Sequence, residues 1–178
     1  MKSKILAWLR ERGDYVSGQE LCEHFGVSRT AVWKAVGQLK KEGYRIQAVQ
    51  NRGYLLETGE ELYGRSELAS RMDTRWAGHP VMFYDALGST NLQAKVDAEQ
   101  GAAHGTLVVA DMQTAGRGRR GRSWSSPPGT NVYFTLILKP RIKPDAASML
   151  TLVMALPVAE GIRETCGIAP GINSPNDD

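Results

Sequence analysis

Gln113-Thr114-Ala115-Gly116-Arg117-Gly118-Arg119-Arg120-Gly121-Arg122-Ser123-Trp124 is the stretch on which the reading of this chain turns. Four arginines and three glycines fill the seven positions 116–122, so the segment has almost nothing apolar to bury and cannot be a core element. Its glycines let backbone approach a ligand closely, and its guanidiniums offer planar donors suited to phosphate. Like charges at this density repel, so the empty loop is expected to be mobile and to order around an anion. Trp124 adds an aromatic face for a base or a seal for a pocket. The Lys-Ser/Thr ending of a Walker loop is missing. Taken alone, the segment reads equally well as a disordered RNA-binding stretch or an exposed tether.

Outward from the loop, residues 106–110 and 131–138 carry β-branched and aromatic runs that predict strands on either side of it. Residues 81–84 predict a further strand, and a Gly88-Ser89-Thr90-Asn91 turn leads into a helix over 90–99. A short helix is expected over 65–72. A strongly apolar one is expected from about 146 to 165, where Pro157 should bend it or break its hydrogen-bond ladder. Residues 65–178 thus form an α+β or α/β unit.

The first sixty residues follow a different plan. Ile5, Leu6, Trp8 and Leu9 line one side of a helix that stops at Gly13. Ser17 is placed to cap a second helix that ends at Gly26, and Ser28 a third carrying Ala31, Val32, Ala35, Val36 and Leu39, stopped by Gly43. Residues 44–49 alternate like a strand, Gln50-Asn51-Arg52-Gly53 supplies turn chemistry, and Tyr54-Leu55-Leu56 returns. Three helices and a hairpin make a winged helix-turn-helix over 1–60, with a linker at 61–64. Ser28, Arg29, Thr30 and Lys34 on the third helix and Arg52 at the wing tip are the expected DNA contacts, while Trp33, also outside the apolar stripe, is expected as a packing residue ahead of a base reader. Residues 1–60 hold ten Lys and Arg against seven Asp and Glu, whereas 61–178 balance at twelve of each, so the whole surplus of +3 lies in the first third.

Composition narrows the class. At 42% hydrophobic and 23% charged, the 178 residues match a folded globular chain rather than a disordered one. No unbroken apolar run of about 18 residues marks a membrane span, and residues 1–12 lack the apolar core of a secretory signal. Cys22 and Cys166 stand far apart with no metal-ligand spacing, so no disulfide framework and no protein metal ligands are expected. A cytoplasmic location is the default expectation.

The order of four motifs is informative beyond each of them: Gly88-Ser89-Thr90-Asn91, the 113–124 stretch, Gly129-Thr130-Asn131 and Pro175-Asn176-Asp177. Together they resemble the biotin–protein ligases, and the preceding winged helix resembles the bifunctional class that is also a biotin operon repressor. The resemblance implies a class II synthetase-like α/β catalytic domain over 65–178. That domain would join biotin to ATP as biotinyl-5′-adenylate, then pass the biotinyl group to a lysine of the biotin carboxyl carrier protein of acetyl-CoA carboxylase. It implies biotin contacts from Ser89, Thr90, Asn91, Gln113, Arg117, Gly118 and Arg119, with a helix cap as a compatible role for the Ser-Thr-Asn turn. Nucleotide contacts are implied for Arg119, Arg120, Gly121, Arg122, Trp124, Asn131 and Asn176. Arg117, Arg119, Arg120 and Arg122 would neutralise the two anionic partners and the leaving pyrophosphate. Mg2+ would accompany ATP, with Asp177 in indirect contact. Operator DNA and a ligand-promoted homodimer are the further partners, and no membrane is among them.

The family normally carries Lys-Trp-Pro-Asn-Asp where this chain has Asn173-Ser174-Pro175-Asn176-Asp177. A strand with a pocket lysine, the rest of the sheet and a small β-barrel domain follow in the family, so the catalytic domain reads as incomplete and C-terminally truncated. Two other readings stand beside the ligase: a non-catalytic biotin-responsive DNA-binding regulator, and a ligand-independent nucleic-acid binder that uses the Gly/Arg segment.

Overall fold

The protein is described here by a computed structural model covering residues 1–59 and 62–172. Of the expected linker and the expected C-terminal contacts, Glu61, Asn176 and Asp177 lie outside the described residues. Two compact units are present, Met1–Leu138 and a second that begins at Lys139.

Helix α1 (Lys2–Arg12) buries Ile5, Leu6 and Leu9 completely and ends at Gly13, whose φ of 62° leaves only glycine unstrained. Helix α2 (Gly18–Phe25) is capped by Ser17, whose hydroxyl accepts the Glu20 N–H at 3.0 Å. Helix α3 (Arg29–Lys41) is capped by Ser28, which accepts the Ala31 N–H at 3.2 Å. Each cap satisfies a donor that the first turn leaves unpaired, worth about 1 kcal/mol. Val32, Ala35, Val36 and Leu39 of α3 close the core with Leu21, Val16 and Ile46. Strands β1 (Ile46–Val49) and β2 (Gly53–Leu56) form an antiparallel wing, and Tyr54 also exchanges two backbone hydrogen bonds of 2.8 Å with Val16. A Cβ on Gly53 would sit 2.1 Å from the Val16 carbonyl oxygen, so only glycine permits this close seam.

Two expectations are corrected here. The first wing strand begins at Ile46, not at residue 44, because the Tyr44 N–H is spent on the Leu39 carbonyl at the end of α3 at 3.1 Å, while its hydroxyl reaches Glu67 of helix α4 (Arg65–Arg71) at 2.9 Å. Trp33, expected as a packing residue, is 67% exposed. It falls about 100° around the helix from Val32, off the stripe made by residues 32, 35, 36 and 39.

Strand β3 (Val81–Leu87) pairs in parallel with β4 (Leu107–Gln113) across helix α5 (Thr90–Glu99), and β4 pairs antiparallel with β5 (Tyr133–Leu136). Val108, Ile137 and Ala94 are buried between sheet and helix. β3 and β4 run longer than expected, since their register continues to Leu87 opposite Gln113. β5 is shorter than the expected 131–138, its ladder with β4 spanning Tyr133–Leu136 alone.

The second unit holds a 3-10 turn (Pro144–Ser148) and helix α6 (Met149–Cys166). The helix starts three residues later than expected and runs on through Pro157, ending at Gly167 with φ 68°. No residue of α6 is buried. Asp145–Cys166, with mean hydropathy 1.4, is long and apolar enough to cross a membrane by length and composition alone. Thr151, Pro157 and Glu160 interrupt its apolar run, which is why continuity alone did not single it out.

Candidate functional site

The C-terminal ends of β3 and β4 lie side by side, and the chain leaves both on the same edge of the sheet. Leu87 leads into Gly88 and the head of α5, while Gln113 leads into the Gly/Arg loop. Two backbone bonds tie these exits together: Thr114 N–H to the Leu87 carbonyl at 2.7 Å and Ala115 N–H to Gly88 at 2.9 Å. The loop therefore departs from a fixed base.

Ser89 and Thr90 are buried. The cap expected from Ser89 does not form: its side chain makes no bond to the first turn of α5. Gln113 takes that place from the neighbouring strand, its Oε1 accepting the Thr90 N–H at 2.9 Å and the Thr90 hydroxyl at 3.2 Å. Its Nε2 donates to the Ser126 hydroxyl at 3.2 Å. The Thr135 hydroxyl donates to Asn91 Oδ1 at 2.8 Å and lies 3.1 Å from the Thr90 hydroxyl. Donors and acceptors from α5, β4, β5 and the loop following β4 thus converge on a cavity of about 380 Å3. Such a volume falls in the small-molecule range of about 300–1,000 Å3.

Ser89, Thr90, Asn91, Gln113 and Arg117 line this cavity, whereas Gly118, expected beside them, is not among its lining. Leu92, Lys95, Val132, Tyr133 and Phe134 line it as well and were not foreseen. Lys95 lies one helical turn beyond Asn91, and that spacing was the available signal. The structure leaves Trp124 exposed and outside the lining, and it ties Asn131 to the Tyr133 hydroxyl at 3.1 Å.

The Gly/Arg loop is a hairpin closed on itself. Gly118 N–H bonds the Arg122 carbonyl at 2.8 Å, Trp124 N–H bonds Gly116 at 2.9 Å, and Arg117 bridges Ser123. Gly116 is obligatory in this geometry, since a Cβ there would meet the Trp124 carbonyl oxygen at 2.5 Å and the Ser126 hydroxyl at 2.8 Å. The tip turns through Arg119–Gly121, with Arg120 at φ 56°, ψ 30° and Gly121 at φ 74°. Arg120 in the left-handed region stores about 1 kcal/mol of strain. Arg117, Arg120 and Arg122 are exposed and form no ion pair with a carboxylate among the described residues. Their charge is available to an anion.

A larger cavity of about 720 Å3 lies between α1, β2 and α4. Its carboxylate Glu67 is already neutralised by Arg10 and Arg71, so it offers less unsatisfied chemistry than the smaller one. Among the described residues, no group of three His, Cys, Asp or Glu side chains is placed to hold a metal ion.

In the N-terminal part, Arg29, Thr30 and Lys34 are exposed on α3, and Arg29 Nη2 donates to Gln19 at 2.8 Å. The Ser28 hydroxyl is committed to its cap. At the wing, Arg52 stacks over the Tyr15 ring at 4.1 Å, beside Asn51 with φ 64°.

Comparison with known proteins places these features among relatives. Residues 2–55 match an HTH domain, and residues 87–177 match the biotin/lipoate A/B protein ligase family. The chain is 43% identical over 176 residues to the bifunctional ligase/repressor BirA of Bacillus subtilis (strain 168), covering 99% of this chain and 54% of that protein. Its identity to the bifunctional ligase/repressor BirA of Escherichia coli (strain K12) is 33% over 174 residues, covering 98% and 52%. Among solved structures, the biotin protein ligase from Aquifex aeolicus in complex with biotin and ATP superposes with a TM-score of 0.47 at 36% identity, over 55% of this chain and 40% of that one. The chain spans about half the length of the curated relatives it matches.

Proposed function

This chain belongs to the biotin/lipoate A/B protein ligase family, and from that premise we propose that it acts in a cytoplasmic ATP-dependent biotin–protein ligase that is also a DNA-binding repressor. The observation that carries the reading is the Gln113–Thr90 clamp, which sets polar groups around a small-molecule cavity at the foot of a hairpin whose Arg117, Arg120 and Arg122 pair with no carboxylate among the described residues. Residues 1–60 would read operator DNA, and residues from 65 onward would carry the ligase chemistry.

The chemistry follows from charge. A biotin carboxylate oxygen attacks the α-phosphorus of ATP, a P–O bond forms, and the bond to pyrophosphate breaks. Two anions must approach each other, so cations that neutralise both lower the barrier most. Arg117 at the cavity wall and Arg119, Arg120 and Arg122 in the hairpin would meet the carboxylate and the phosphates. The ureido ring of biotin presents both donors and acceptors, which suits Ser89, Thr90, Asn91 and Gln113. Gly118 and Gly121 would let backbone N–H groups close on the adenylate, while Trp124 and Asn131 would be brought to the nucleotide as the hairpin closes. Closure would also shield the mixed anhydride from water. Mg2+ would arrive on the ATP phosphates. The biotinyl carbonyl would then pass to the lysine amine of a biotin carboxyl carrier protein, releasing AMP. A homodimer favoured by the adenylate would place two winged helices on a two-fold operator, the ligand shifting the population toward the assembled state.

Calorimetric titration with biotin, combined with pyrophosphate release on adding ATP, tests this reading. Saturable heat and biotin-dependent release are expected. Biotin binding and DNA binding without release would instead support the regulator reading, for which Asn173-Ser174 in place of a cation and an aromatic is the favouring observation. A folded chain that is indifferent to both ligands would sink the proposal.

A further inference from the structure

Trp33 is the largest apolar surface that the N-terminal part leaves in water. It is 67% exposed at the middle of α3, with no ring, guanidinium or hydrogen-bond partner among the described residues. The other tryptophan of this part, Trp8, is stacked on His24 at 3.7 Å and covered by Arg12. Leaving an indole bare forgoes the burial that normally accounts for its presence. Trp33 is therefore free to meet a partner outside the chain.

A second feature of the same face points the same way. Gly37 lies one turn beyond Trp33, in mid-helix, where glycine weakens a helix relative to alanine. Nothing in the fold requires it: its φ is not in the left-handed region, and a Cβ added there would meet no atom within 4 Å. Side chains on a helix lean toward its N-terminus, so a residue at 37 would lie over the turn that carries the indole. The glycine leaves a flat shelf beside Trp33.

Charge identifies the occupant. α3 carries Arg29, Lys34, Lys40 and Lys41 and no carboxylate along its thirteen residues. Arg29 and Thr30, both exposed, stand one turn before Trp33 on the same side, and Arg52 projects from the wing. A polyanion with apolar groups recessed between rows of charge fits this surface. The major groove of B-form DNA is such a surface, since it sets the thymine C5-methyl groups between its phosphate backbones.

We propose that Trp33 reads thymine methyl groups in the major groove, with Gly37 leaving the room that lets the indole reach them. This deepens the DNA-binding reading of residues 1–60 and rests on it. Arg29 and Lys34 supply sequence-independent attraction, while Trp33 supplies discrimination.

The test starts from a duplex selected out of a randomised DNA pool by the 178-residue chain with biotin and ATP present. Each thymine of that duplex is then replaced singly by uracil, which deletes only the methyl group. For the unsubstituted chain, uracil at one or two positions is expected to weaken binding about fourfold, the worth of one buried methyl. Trp33→Ala should bind the selected duplex about tenfold more weakly and lose the response to uracil, while its salt dependence persists because the cations remain. Gly37→Ala should melt at a higher temperature through better helix propensity, yet bind the selected duplex less well. Retained uracil sensitivity in Trp33→Ala would overturn the proposal. So would equal loss on selected and random duplexes, or an altered sedimentation profile showing that the indole faces a second copy. If the unsubstituted chain binds no duplex, the DNA-binding reading itself falls.

Discussion

Glu67 is the most heavily engaged carboxylate among the described residues, and its replacement by glutamine gives a sharp test of how α1 is tied to α4. The residue is 7% exposed and accepts both oxygens' worth of donors: Arg10 Nη2 at 2.9 and 2.8 Å, Arg71 Nε at 2.6 Å and the Tyr44 hydroxyl at 2.9 Å. Burial pushes its carboxyl up, but the bonds from Arg71 and Tyr44 and the charge of Arg10 outweigh that and hold it below its ordinary value. Breaking a fully buried pair costs about 3–5 kcal/mol. Here the Arg10 side chain is 32% and the Arg71 side chain 50% exposed, so both guanidiniums regain water when the charge is lost. The cost of Glu67→Gln at pH 7 is therefore discounted to about 2–3 kcal/mol. At roughly 3–4 °C per kcal/mol for a unit of this size, the midpoint falls by roughly 6–12 °C. The pH dependence separates this from a packing defect. A depressed carboxyl stabilises fully above its unfolded value and stops doing so as pH falls through its folded value. The unsubstituted chain should thus lose stability on acidification below its ordinary 4.5, while Glu67→Gln shows a smaller acid loss. Urea unfolding at pH 7 and pH 3 measures both. Equal midpoints at pH 7, or an unchanged acid loss in the variant, would refute the reasoning.

Three further outcomes follow from the same geometry. Tyr44→Phe should cost about 1 kcal/mol at pH 7. Because burial and the Glu67 bond raise the Tyr44 phenol above its ordinary 10, the unsubstituted chain should lose stability as pH rises past 10, and the variant should lose less, as followed by denaturant midpoints. Gln113→Ala strands the Thr90 N–H at a residue only 4% exposed, costing about 1–3 kcal/mol, and should weaken biotin binding by calorimetry at least about tenfold. Gly116→Ala forces backbone apart at the Trp124 carbonyl. It should abolish pyrophosphate release and lower the thermal midpoint by roughly 3–8 °C, since Gly116 is buried against Ser126 and the distortion costs about 1–2 kcal/mol.

What the sequence could disclose was governed by distance along the chain. Caps at Ser17 and Ser28, the left-handed stops at Gly13 and Gly26, and the span of α5 are set within a few residues, and all were legible. Of the residues grouped through motif order, Ser89, Thr90, Asn91, Gln113 and Arg117 line one cavity and Gly118 does not. What escaped was every pairing set by sheet register or helix docking. Gln113 caps α5 across 23 residues because Leu87 and Gln113 are partners in the parallel ladder. Arg10 meets Glu67 across 57 residues. Val132, Tyr133 and Phe134 enter the cavity wall only because β5 runs antiparallel beside β4. Helical phase sets Trp33 off the buried stripe, and its expected packing role fails because no neighbouring element covers it.

The two helices at the centre of the functional readings begin in opposite ways, and the difference matters for coupling. α3 is capped by the residue next to it, Ser28, so its first turn is held whatever the sheet does. α5 is capped by Gln113, which is also the last residue before the arginine hairpin and which bonds Ser126 on the hairpin's return. The first turn of α5, the cavity wall and both ends of the hairpin therefore share one amide. A ligand that draws hydrogen bonds from Gln113 must therefore compete with Thr90 and Ser126.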